Sequence, residues 1–101
     1  MIVVQNRVPV AEGQEEAFLE RFRARRRLVD DQPGFVRNMV LRPIRGDYFI
    51  VLTIWESEEH FRAWTESASF EQAHSQMRPQ GMFSGRSELE IHEVVIDTRA
   101  G

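Results

Sequence analysis

Three side chains stand where chemistry is open to them: Asn6, Trp64 and His74. Histidine titrates near neutrality and is the commonest metal ligand, so His74 is either a neutral imidazole ligand or a core-edge ring satisfied by a hydrogen bond. Asn6 either donates a hydrogen bond to a bound ligand or satisfies a neighbouring backbone group. Trp64 either walls a flat pocket or is plain core. Arg21 and Arg25 share one helical face within the run Arg21, Arg23, Arg25, Arg26, Arg27. They grip an anionic ligand or form a solvated face. His60 and His92 read as surface or edge residues, and no spacing joins them to His74 in a zinc site.

Other chemistries are missing their signatures. There is no Gly-rich phosphate loop, no G-x-S-x-G elbow and no histidine pair at helical metal-ligand spacing, which argues against hydrolase and nucleotide chemistry. With 13 Lys+Arg against 16 Asp+Glu and a net charge of −3, no excess of positive charge drives binding to nucleic acid. The absence of cysteine removes disulfides, thiolate nucleophiles and cysteine-based metal sites, and is compatible with the cytoplasm. The chain opens on the strand-like run Ile2-Val3-Val4 rather than a signal peptide, and no stretch approaches the roughly 18 apolar residues of a membrane span. A soluble cytoplasmic protein with no membrane partner is expected. Its 101 residues suffice for one domain, read as 1–97, with 98–101 a frayed tail.

The elements that must position these residues follow from hydrophobic periodicity. Residues 2–8 alternate, placing Ile2, Val4, Asn6 and Val8 on one face of a strand, so Asn6 points inward. Phe18, Leu19, Phe22, Leu28 and Val29 form a helical stripe after Glu15-Glu16, predicted to run until Pro33-Gly34 stops it. A second strand over 35–41 puts Phe35, Arg37, Met39 and Leu41 together. The run 48–55 is apolar on both faces and therefore expects cover on both. Ser57 with Glu58-Glu59 caps a helix bearing Phe61 and Trp64, and Ser67 or Ser69 caps a short segment bearing Phe70, Ala73, His74 and Met77. A last strand is predicted over 87–96.

The order strand, helix, strand, strand, helix, strand predicts an α+β, ferredoxin-like βαββαβ domain, an antiparallel sheet with helices on one face. Two helices cover only that face, so the other is expected to meet a second copy of the chain in a homodimer.

Asn6-Arg7-Val8, Glu20-Arg21-Phe22, Gly34-Phe35 and Leu52-Thr53-Ile54-Trp55-Glu56-Ser57, leading into Phe61, Trp64, Ser67, Phe70, Ala73 and His74, resemble the IsdG-type haem-degrading monooxygenases. These belong to the antibiotic-biosynthesis-monooxygenase (ABM) superfamily of dimeric α+β barrels. The resemblance covers nearly the whole chain and is most specific from Trp55 to His74. It implies that haem is both substrate and cofactor, with His74 the proximal iron ligand, Asn6 the distal hydrogen-bond donor and Trp64 distorting the macrocycle. It further implies that Arg21 and Arg25 contact the propionates, and that O₂ and an external electron donor, such as a reductase, complete ring opening and iron release. Two alternatives stand beside this reading: a cofactor-independent ABM-family monooxygenase acting on a quinol or polyketide-like aromatic, and a non-catalytic haem-binding protein.

Overall fold

The computed structural model describes residues 1–24, 28–73 and 81–99. In chain order these form β1 (Ile2–Val8), α1 (Glu15–Ala24), β2 (Phe35–Leu41), β3 (Phe49–Trp55), α2 (Glu58–Thr65), α3 (Ala68–Ala73) and β4 (Glu88–Glu93). The strands make one antiparallel sheet in the order β2-β3-β1-β4. The two inner strands, β1 and β3, separate the strands that each helical crossover joins, which is the ferredoxin-like α+β topology expected from element order.

Register assigns the faces. Ile2, Val4, Asn6 and Val8 of β1 stand opposite Trp55, Thr53, Val51 and Phe49 of β3 on the side covered by the helices. Strand β2 departs from the expected alternation. A bulge between Phe35 and Arg37 leaves Phe35 beside Trp55 on the helix side, while Arg37, Met39 and Leu41 pair with Ile54, Leu52 and Ile50 on the open side. One extra residue breaks the period of two, so the faces before and after it are no longer continuous. The gain is an edge-to-face contact between Phe35 and Trp55, with ring centroids 5.4 Å apart.

Local chemistry explains where the helices begin and end. Helix α1 is described only to Ala24, and Leu28–Asp31 is a 3₁₀ turn rather than a continuation of it. That turn closes through Gln32 N–H to the Val29 carbonyl at 3.0 Å and Phe35 N–H to the Gln32 carbonyl at 3.1 Å. Gly34 then takes φ +79°, and a Cβ there would collide with the His60 ring. His60 was expected at the surface or an edge; its ring is half-buried because α2 lays it across this glycine. Ser57 caps α2 as expected, its hydroxyl accepting from His60 N–H at 3.2 Å. Glu16 of α1 meets Arg42, just beyond β2, at 2.9 Å, and Arg23 at 3.7 Å. The Arg42 guanidinium holds the Glu16 carboxyl below its ordinary range.

The core is divided. One cluster comprises Ile2, Val4, Trp55 and Trp64, with Leu28, Val29, Phe35, Phe61 and Phe70 packed against it. The other comprises Val8, Phe18, Phe49 and Met82, with Phe22, Val51 and Phe83 among its neighbours. Strand β4, expected over 87–96, covers only residues 88–93. Its helix-side residues Leu89 and Ile91 are 57% and 42% exposed, so the helices do not reach across this edge. Among the described residues, no helix is long and apolar enough to cross a membrane.

Candidate functional site

Asn6 occupies the division between the two clusters. Val4 on one side of it belongs to the first and Val8 on the other to the second. It is half-buried, lies between Val51 of β3 and Leu89 of β4, and faces the helices. An apolar strand that places one carboxamide at this height gives a hydrogen-bonding group with low-dielectric walls on both sides, where a polar contact is stronger than in water. Exposed Leu89 and Ile91 extend an apolar floor from it to the sheet edge.

Trp64 belongs to the wall of the first cluster. It sits near the end of α2, 6% exposed, with its ring stacked on Trp55 at a centroid distance of 6.5 Å and an interplanar angle of 28°. Phe70 of α3 meets it edge-on at 5.4 Å. Ser67 explains how the backbone holds it there. The Ser67 hydroxyl donates to the Trp64 carbonyl at 2.7 Å, and the same oxygen accepts from Phe70 N–H at 3.1 Å. One serine therefore ends α2 and caps α3, which settles the choice between Ser67 and Ser69 as the cap in favour of Ser67.

Arg21 projects from α1 with its Nη1 3.9 Å from the Met82 sulfur. The ion pairs of the described residues do not include it. A half-buried guanidinium with no carboxylate beside it among these residues suits an anionic ligand. His74 and Arg25 lie outside the described residues, as does Met77. His92 is exposed on the open face opposite Val3, as expected. No group of three metal-ligating side chains occurs among the described residues.

Two contributors lacked any prior assignment. Met82 is buried and joins the second cluster, while its carbonyl accepts from Ala11 N–H at 2.8 Å. A lone methionine after Pro79-Gln80-Gly81 carries no periodicity, so nothing in the sequence marked it. Thr53 accepts a hydrogen bond from the Trp55 indole at 3.0 Å. Its signal was available: it is the one polar residue in an otherwise apolar strand.

A helix-covered antiparallel sheet, with Asn6 between two core clusters and exposed apolar residues along one edge strand, defines a ferredoxin-like α+β domain. The model of the family described as "Antibiotic biosynthesis monooxygenase" matches residues 1–76, and the chain belongs to that family. Within it, the chain is 38% identical over 98 residues to "Heme oxygenase (mycobilin-producing)" of Mycobacterium tuberculosis, covering 95% of this chain and 90% of that one. It is 35% identical over 78 residues to "Heme-degrading monooxygenase" of Bacillus cereus, covering 74% and 72%. The solved structure of the heme-degrader MhuD from M. tuberculosis, with two hemes bound in its active site, superposes with a TM-score of 0.81 at 34% identity, covering 96% of this chain and 98% of that one. The resemblance to haem-degrading members of the family is thus borne out over nearly the whole chain.

Proposed function

We propose that this protein is a haem-degrading monooxygenase, with haem bound in the gap between the two core clusters. The observation that carries this reading is the position of Asn6, a half-buried inward carboxamide where the core divides, in a chain so similar to haem degraders. The donor set suits the ligand: a flat apolar macrocycle needs an apolar floor and an aromatic wall, and its propionates need cations.

Bound haem supplies the iron that activates O₂ and the ring that is opened. His74 would hold the haem iron through a neutral imidazole. Asn6 would present its carboxamide to bound haem as a hydrogen-bond donor, oriented before reaction and therefore free of reorganisation cost. Trp64, backed by Trp55, would press on the macrocycle as a firm aromatic wall and distort it. Arg21 and Arg25 would hold the propionates. Electrons come from a separate reductase. Two copies associate through the open face of the sheet to form a homodimer, and a chain without cysteine suits the reducing cytoplasm.

Titration with hemin, followed by ascorbate in air with an iron chelator present, tests this reading. A saturable Soret band that decays with iron release is expected, and His74→Ala should shift the band and stop its decay. Stable binding without decay would indicate a haem carrier instead, and no specific binding a cofactor-independent monooxygenase.

A further inference from the structure

Trp64 is held from the sheet as well as from its own helix. Trp55, its stacking partner, is wholly buried, with a relative exposure of 0%. Among the described residues, three other aromatic contacts crowd the pair: Phe35 at 5.4 Å and Phe61 at 5.8 Å against Trp55, and Phe70 at 5.4 Å against Trp64. These contacts are edge-to-face and tolerate sliding of the rings, since apolar packing is not directional. A directional restraint on Trp55 is the hydrogen bond from its Nε1 to Thr53 Oγ1 at 3.0 Å. Both residues belong to β3 and point to its helix side, two positions apart, so the indole is pinned to the rigid sheet.

We propose that Thr53 and Trp55 are positioning residues for Trp64: the Thr53 hydroxyl fixes the rotation of the Trp55 indole, and that indole sets the tilt of Trp64 toward the ligand. The claim rests on the haem reading for its effect on reaction, but not for the geometry itself. Removing the acceptor leaves a buried N–H unpaired, which drives the Trp55 ring to seek another partner. Trp64 must follow, because a close-packed interior does not leave the two planes free to separate.

The chain contains only two tryptophans, so their exciton coupling in circular dichroism reports on this pair alone. In the ligand-free protein, Thr53→Val should keep the backbone spectrum but lose at least half of the tryptophan couplet, and Thr53→Ser, which retains the hydroxyl, should restore it. Trp64→Phe, which abolishes the couplet, identifies the signal. With hemin, Thr53→Val should bind within about threefold of wild type but open the ring about tenfold more slowly, as a misplaced but still present wall would predict. If Thr53→Val fails to fold, Thr53→Ala is read the same way. An unchanged couplet overturns the proposal whatever hemin does, and a changed couplet with unchanged ring opening overturns the link to reaction. A wild type that leaves hemin intact refutes the haem reading alone, since the couplet is measured without it.

Discussion

Gly34 is subject to two independent constraints, a φ of +79° and the His60 ring lying where a Cβ would project. Gly34→Ala should therefore cost about 2 kcal/mol or more, since the left-handed backbone alone costs roughly 1–2 kcal/mol for a residue with a side chain. Thermal unfolding should show a drop of about 8 °C or more for a domain of this size. Adding His60→Ala removes the Cγ and Cδ2 contacts but keeps the His60 Cβ, 2.6 Å from the new Cβ, so it should recover only part of the collision and none of the backbone cost; full recovery by the double variant would show that conformation at Gly34 contributes nothing. Pro33-Gly34 was legible as a break in the chain but not as the end of the first helix, since a separate 3₁₀ turn over Leu28–Asp31 precedes it. The sequence could not show His60 as the reason for glycine there, because that contact joins residues far apart in the chain. The same limit governs the site. Asn6 was readable from strand alternation and Trp64 from helical spacing, whereas the hydroxyl of Thr53 acquires meaning only once Trp55 is seen to point at it.

Periodicity served best for elements whose repeat is unbroken. β1 and β3 take the faces their alternation predicts, and Ser57 and Ser67 cap the helices they precede. β2 fails at one residue, because a bulge is set by what Phe35 gains against Trp55 rather than by the strand's own pattern. The link from α1 to the end of β2 was equally invisible, since Glu16 and Arg42 are apart in sequence and both lie on the surface. It makes a prediction about acid. Glu16 has its folded-state pKa lowered, chiefly by the hydrogen bond from Arg42, so its contribution is present above the ordinary carboxylate range and is lost as pH falls through the folded value. The Arg42→Ala variant should lose its small difference in stability from wild type when melting is followed from neutral pH down to acid. A difference that persisted undiminished at low pH would mean that Arg42 acts through packing of its side chain. Salt should also shrink it, as expected for an exposed pair.

Across the whole molecule, the sheet has two unlike surfaces. On the open side, Met39, Leu41, Ile50, Leu52, Ile54 and Val3 give an apolar half, and Glu88, Glu90 and His92 with Gln5 and Arg7 a polar one. The homodimer proposed above would cover the apolar half. Ile54→Lys, at a half-buried position, should then shift the mass measured by light scattering from dimer to monomer while leaving the far-ultraviolet spectrum intact; a wild-type mass would place the contact elsewhere. A sheet whose outer strands β2 and β4 pair on one side only among the described residues carries a further hazard, since unpaired backbone groups can template strand addition by other copies. Here the bulge that carries Phe35 inward also spoils the regular hydrogen-bond ladder along the β2 rim, while Glu88, Glu90 and Glu93 crowd like charge along β4. The extra residue at Val36 thus serves colloidal behaviour as well as the core: it denies incoming strands a straight rail on which to grow a fibre.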